Sequence, residues 1–397
     1  MPVWHERTKA LRASGKLKII GITQEQHADR CQLFARWKGL DWPILWDPFN
    51  LTSTTVVPRI TLIDEHGIVR STRASFASFE DSFIDETYPA PAKPTAAATP
   101  EAGTLIEASR AKEGSPARRY YEALSALLWP AGRDGERAML DLQAYAKAHP
   151  EDAAAQWRLG VAYRMRHDSR ERSLGDFQHA IDAWRRGMEL DPSHYIYRRR
   201  IEQYGPLLTK PYPFYPWVAA ARKALGTKAP PLAAEPTGTE LAGPKRLDRD
   251  APADKVPDTQ KADPSVKDGL RFEPTVVWLT GRKGRMAARV HLHVMPAGNR
   301  VLLWDASAPV ILHIETPEGF EREGSRYERR LLGRDPAEEV VPFDLEVHPE
   351  SGKASSLEVS GYVLYRARSE PRGPSRLLMQ RFDLTLPGPA DDGSKDD

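Results

Sequence analysis

Val56-Val57-Pro58-Arg59-Ile60-Thr61-Leu62-Ile63-Asp64-Glu65-His66-Gly67-Ile68-Val69-Arg70 sets two apolar runs on either side of a polar turn that ends in Gly67. That spacing predicts a β-hairpin. Pro58 falls just before the first strand, where its missing N–H costs no ladder bond. Upstream, Leu17-Lys18-Ile19-Ile20-Gly21-Ile22 is an apolar run fit for a buried parallel strand. Thr23 is placed to cap the next helix, with Gln26 as its capping-box partner. That helix carries Cys31, Leu33, Phe34 and Trp37 and stops at Gly39. Glu6–Ala13 reads as the end of an earlier helix, closed by Gly15. Trp42–Pro48 forms a second extended run, and Phe76–Glu86 a closing helix.

The order strand, helix, strand, hairpin, helix, with Val-Pro leading into the hairpin, resembles the second half of a thioredoxin-like (redoxin) domain. The resemblance covers residues 1–88. It implies a cis proline at Pro58 and a hairpin at the edge of the main sheet. It also implies a reactive thiol at the start of a long helix, where the helix amino terminus lowers the pKa. The chain has one cysteine, Cys31, so the dithiol of that family is missing. The expectation is either that the active-site strand and motif lie upstream of Met1 or that the domain has diverged. Cys31 lies mid-helix and reads as a half-buried small hydrophobe rather than a resolving or sensing thiol. His27, with Asp29 and His5, reads as a solvated helix-start residue, and His66 as a hairpin-turn surface residue.

At 397 residues the chain is long enough for two to three domains, and 34 prolines point to linkers. Basic and acidic residues nearly cancel, 57 against 55, which gives no footprint for nucleic acid. One cysteine excludes an intrachain disulfide and any multi-cysteine metal site, and no ligand spacing points to a metal or another cofactor. No apolar run approaches a membrane span. Met1–Arg7 has no apolar signal-peptide core, so the chain as it stands reads as cytoplasmic, or extracytoplasmic with a start further upstream.

Residues 89–116 are rich in Pro, Ala, Thr and Glu and read as a spacer. Helical periodicity follows over 117–225. Leu159, Gly160, Tyr163, Ala180, Trp184, Gly187 and Pro192 fall in order at small and large positions that resemble a tetratricopeptide repeat. Ala138, Leu142, Tyr145 and Pro150 match the second half of a preceding repeat, and Ser193–Gln203 begins a third. The alternative is a generic antiparallel helical hairpin. Tyr195, Tyr197, Arg198 and Arg199, then Tyr212, Phe214 and Trp217, make up the densest aromatic and basic stretch. Aromatics interleaved with arginine suit nucleic acid or an acidic peptide, while the alternative makes Pro211–Trp217 an extended strap that folds its aromatics onto the repeats. Residues 226–269, with Lys228–Val266 at their centre, read as a second spacer.

Residues 270–387 contain seven apolar or alternating runs: 276–279, 286–294, 301–304, 310–314, 340–347, 357–364 and 377–386. Gly, Pro, Asp and Asn turns separate them, the pattern of an antiparallel β-sandwich. Leu303-Trp304-Asp305, Ile314–Phe320 and Ser360-Gly361-Tyr362-Val363-Leu364-Tyr365 resemble the amino-terminal immunoglobulin-like domain of thiol:disulfide interchange proteins. The redox cysteines that the resemblance implies after Tyr365 are missing from Arg366–Ser375. His291 and His293 share one strand face. With His313 they read as a polar outer face rather than a copper or zinc site. Residues 388–397 read as a disordered tail.

The fold class expected is therefore multidomain: a partial thioredoxin-like α/β domain, an all-α tetratricopeptide-like domain and an all-β immunoglobulin-like sandwich, separable at the two spacers. The function expected is a non-catalytic binding or scaffold protein of redoxin ancestry, whose helical repeats meet a protein or peptide. The alternative is a thiol–disulfide oxidoreductase or peroxidase whose active-site segment lies outside this chain. A hydrolytic or metal enzyme finds no nucleophile–base set or ligand cluster.

Overall fold

The computed structural model describes residues 2–74, 77, 79–91, 110–129, 134–206, 215, 217–230, 232, 245–246, 262, 269–280, 285–297, 303–315, 318–322, 325–331, 339–350, 356–370 and 372–389. It combines helices with antiparallel sheets, and its contacts divide into two compact units. The first takes 1–172, 179–200 and 221–233. The second takes 173–178, 201–220 and 234–397. No helix among the described residues is long and apolar enough to cross a membrane.

The first unit opens with helices α1 (Pro2–Arg7) and α2 (Lys9–Ala13). Strand β1 (Gly21–Thr23) runs parallel to β2 (Ile44–Trp46), with helix α3 (Ala28–Lys38) between them. Gly39, at φ +58°, closes α3 in the left-handed conformation that glycine adopts without a Cβ clash. The Val57–Pro58 peptide is cis. The hairpin forms from β3 (Leu62–Ile63) and β4 (Val69–Ser71). Its turn is built on Asp64, whose carboxylate accepts from the His66 and Ile68 amides and from Arg70 Nε at 2.7 Å. Among the described residues β3–β4 and β1–β2 are separate two-stranded sheets, so the hairpin does not extend a common sheet as the resemblance implied. The closing helix expected over 76–86 is one π-helical turn, Glu80–Ile84; part of that span lies outside the described residues.

Helices α4 (Pro116–Leu128), α5 (Gly135–Ala148) and α6 (Ala153–His167) follow, started by Ser115, Asp134 and Asp152. Each of these side chains accepts from a first-turn amide. Pro116 therefore begins the first helix rather than ending a spacer. Helix α7 (Asp176–Leu190) packs against α6 at two small residues. A Cβ on Gly160 would sit 2.5 Å from the Trp184 ring, and one on Gly187 would sit 3.2 Å from Trp157 Cβ. Trp157 and Trp184 are both fully buried. Glycine on one helix thus admits an indole from the other, the pairing read from the sequence.

The segment 1–88 does not stand apart from these helices. Gln26 Nε2 donates to the Val161 carbonyl (3.4 Å) and Arg158 Nε to that of Phe49 (3.0 Å). The Tyr195 amide donates to Thr55 O (3.2 Å). A redoxin-like module joined to helical repeats by a cleavable spacer was the expectation. The contacts instead make one compact unit of the two.

Helices α8 (Tyr195–Tyr204) and α9 (Trp217–Leu225) complete the helical set, and their residues are divided between the units. The second unit holds β5 (Lys245–Arg246), β6 (Leu270–Thr280), β7 (Met286–Pro296), β8 (Leu303–Trp304), β9 (Val310–Ile314), β10 (Phe320–Arg322), β11 (Arg326–Arg329), β12 (Val341–Pro349), β13 (Ser356–Arg368) and β14 (Arg376–Pro387). One sheet has the order β10-β12-β7-β6. The other runs β14-β13-β9-β11-β5, with β8 also on β13. Both inner faces feed one core, which includes Val290, Leu292, Leu312, Phe343, Val363 and Tyr365. The sheets are stitched by Gln380, whose amide both accepts from and donates to the backbone of Leu270 (2.7 and 2.9 Å).

Each of the seven runs expected here contains a strand among the described residues, the run 301–304 at Leu303–Trp304. Three further short strands were not expected. One of them corrects the second spacer: Lys245–Arg246 pairs with Tyr327 and Glu328, and Ala262 is buried beside Ile311 and Leu364. Most of the first spacer, the rest of the second and the tail from 390 lie outside the described residues.

Candidate functional site

Cys31 is the fourth residue of α3 and closes its first turn, which corrects its reading as mid-helix; it is partly buried and its thiol donates to Thr23 Oγ1 (3.5 Å). Thr23 is not the helix cap. It sits in β1 and its hydroxyl also accepts the Glu25 amide, while His27 occupies the cap position with extended backbone and no side-chain cap bond. Burial pushes the Cys31 thiol up to about 12, and the Glu25 carboxylate adds to that shift. At neutral pH the sulfur is a protonated thiol, and a thiol without its thiolate is a poor nucleophile.

Buried charged side chains gather around the loop Gln24–His27, beside Cys31. Gln26 is not a capping-box partner; it is buried against α6. His27 is 7% exposed, which corrects its reading as a solvated residue. Its Nδ1 lies 3.5 Å from Asp168 Oδ2. Arg30, Arg164 and Arg200 are all buried around it. Arg164 Nε donates to Asp168 (3.0 Å), and Arg30 lies 4.0 Å from Glu25. Arg200 donates to the Gln24 carbonyl and places its guanidinium 5.6 Å from the ring centroids of both Trp157 and Trp184. Burial first, and then Arg30, Arg164 and Arg200, hold the His27 pKa well below 6.5. The ring is therefore neutral at pH 7, and its contact with Asp168 is not an ion pair. His5 stands elsewhere, 3.3 Å from Asp41 and packed on Trp42.

The aromatic and basic stretch separates by depth along α8. Tyr197 is buried, stacked between His194 (3.6 Å) and Trp157 (5.3 Å), so it is core rather than contact surface. Tyr195 and Arg199 are half-buried and Arg198 is exposed. Both guanidiniums lie 5.8 Å from the Tyr195 ring. Trp217 is half-buried beside Tyr215 in the second unit. Tyr212 and Phe214 lie outside the described residues.

In the second unit the histidines of β7 do not form an outer face. His291 is 1% exposed, covered by Phe177 and Tyr204 of the same unit. Its Nδ1 is 2.5 Å from Asp344 Oδ1, directly across the strand pair, and its Nε2 is 2.7 Å from the Tyr204 carbonyl oxygen. A carbonyl only accepts, so Nε2 carries hydrogen. With both nitrogens engaged, the ring is a structural link, not a free base. Arg289, two residues back on the same face, pairs with Glu346 across the strands (2.7 Å) and donates to the Gly205 carbonyl. Together the two side chains supply donors to carbonyls at the carboxy-terminal end of α8, where a helix leaves its last carbonyls unpaired. His313 stacks on Tyr362, its cross-strand neighbour. Among the described residues no group of three or more His, Cys, Asp or Glu is placed to hold a metal ion.

Sequence reasoning missed Arg30, Arg164, Asp168 and Arg200. The i,i+4 spacing of Arg164 and Asp168 was a readable signal for one pair. The convergence of α3, α6 and α8 was not.

No family model and no curated relative matches the chain. Among solved structures, the yeast GGA1 GAE domain aligns with 32% of this chain and 100% of its own, at 12% identity and a TM-score of 0.19. A likeness that slight carries no argument about fold or function.

Proposed function

We propose that this chain is a non-catalytic binding protein of redoxin-like and tetratricopeptide-like make-up, carrying an immunoglobulin-like sandwich. Its helices meet a protein or peptide at the face of α8 that bears Tyr195, Arg198 and Arg199. The observation that carries the non-catalytic part is the state of Cys31. The single thiol of the chain is hydrogen-bonded, partly buried and held protonated at neutral pH. Dithiol exchange also needs a second thiol to resolve the mixed disulfide. For the binding face, the support is an exposed arginine and a second beside a half-buried tyrosine, a surface that suits a carboxylate-bearing segment.

Insulin reduction with dithiothreitol tests the first part. The expected result is turnover at the uncatalysed background, unchanged in Cys31→Ser. Turnover above background that disappears in that variant would return the chain to the thiol oxidoreductases.

A further inference from the structure

We infer that the His27 cluster is an acid-sensitive latch, which holds the Gln24–His27 loop and the start of α3 on α6 and α8 and lets go when His27 gains a proton. Two hydrogen bonds and one close contact define the closed state. Arg200 donates to Gln24 O, Gln26 Nε2 donates to Val161 O, and the His27 ring sits 3.5 Å from Asp168. Every element packed around the ring brings charge to it. The loop supplies Glu25, and α3 supplies Arg30 and Asp29. Helix α6 supplies Arg164, its cap supplies Asp168 with the buried His167 next to it in the chain, and α8 supplies Arg200.

The carboxylates nearest the ring already have cations. Asp168 accepts from Arg164 at 3.0 Å and Glu25 faces Arg30. A proton on His27 therefore adds a positive charge to a desolvated site where three guanidiniums already stand. The cheapest relief is for the loop to swing its ring into water, which gives up the Gln24 and Gln26 bonds to α8 and α6.

The sign follows from the direction of the shift. In the opened or unfolded chain the ring takes its proton near 6.5; in the closed latch it does so well below that value. Between the two, the open state binds one proton more. The latch is thus at full strength above about pH 6.5 and weakens as pH falls. Each pH unit in that window multiplies the opening constant by about ten.

Hydrogen exchange on the full chain, followed by mass spectrometry from pH 7.5 to 5 and corrected for the intrinsic exchange rate, reads this opening in peptides spanning residues 21–38. The expected result is a rise of about tenfold per pH unit below 6.5 in the wild-type protein and a nearly flat profile in His27→Gln. An equal rise in both proteins, or none in the wild type, overturns the latch. Should His27→Gln fail to fold at pH 7.5, ring NMR of the wild-type histidines decides. A His27 ring still neutral at pH 5.5 is expected, and one that titrates near 6.5 overturns it.

Discussion

The two units bury cationic side chains in opposite ways. In the second, each polar nitrogen-bearing side chain on the covered face of β7 stands directly across a strand ladder from a carboxylate: Arg289 from Glu346, His291 from Asp344. In the first, Arg200 has a carbonyl and two indole rings in place of a carboxylate, and His27 stays neutral among arginines. Strand register brings complementary residues together with little freedom, because the side chains of paired strands are fixed neighbours. Helix and loop packing brings residues from three distant parts of the chain to one point, where Asp168 and Glu25 serve Arg164 and Arg30 and the rest of the neutrality comes from dipoles and protonation state. The sheet's cross-strand pairs behave as a permanent link, the contacts of the helical cluster as an adjustable one.

Removing one partner of the sheet's buried pair should have the largest effect. Asp344→Ala leaves the buried His291 Nδ1 without its partner, which costs about 3 kcal/mol, the upper end for a buried polar group left unpaired. Denaturant unfolding should show it as a lower midpoint at unchanged slope. Replacing both residues, His291→Leu with Asp344→Leu, should recover much of the loss, since apolar groups often replace both partners of a buried hydrogen bond at little cost. Equal losses in the single and double variants would mean the pair is not a closed electrostatic unit.

Arg200→Ala is the matching test in the first unit. It removes a buried charge-assisted bond to Gln24 and two cation–π contacts, together worth about 2–3 kcal/mol. Because the Gln24 bond belongs to the latch, this variant should also raise exchange of the 21–38 region at pH 7.5. A loss of stability without that local change would separate Arg200 from the loop.

Gly160→Ala comes next, at about 1–3 kcal/mol. The added Cβ meets the Trp184 ring at 2.5 Å and the Ala180 carbonyl oxygen at 2.9 Å, so the α6–α7 crossing itself must widen. Near-ultraviolet circular dichroism should report a loosened tryptophan environment. An unchanged spectrum and midpoint would show that the helices are free to part there.

How much of this could be read beforehand depended on the range of the interaction. The β7 run Val290, Leu292, Val294 alternates with polar residues, and alternation alone marked it as a strand. The same alternation was misleading about His291, because a strand's second face reads as solvent-facing unless the cover is known. Here the cover includes Phe177 and Tyr204, more than 80 residues upstream and invisible to a local pattern. Gly160 with Trp184 was legible, since a small residue and a large one recur at helical spacing. The short strands β5, β10 and β11 were not. They are two to four residues long and rich in arginine and glutamate, and only pairing with neighbours makes them strands. The His27 cluster was the least legible of all. Residues 24–30, 164–168 and 200 meet only through tertiary packing, which sequence spacing does not encode.

Arg198 gives the smallest expected effect and the sharpest contrast. It stands two residues before Arg200 on α8, a rotation of about 200° at 3.6 residues per turn, so the two side chains leave the helix on nearly opposite sides. Arg200 is 4% exposed and bound into the latch, whereas Arg198 is exposed, with its guanidinium 5.8 Å from the Tyr195 ring. A cation–π contact in water contributes about 0.5–1 kcal/mol at most, and surface substitutions usually stay within about 0.5 kcal/mol. Arg198→Ala should therefore leave the unfolding midpoint and the pH dependence of the 21–38 region as they are. If Arg198→Ala destabilised the protein as much as Arg200→Ala, both arginines would be structural, and the proposed contact face on α8 would lose its most exposed member.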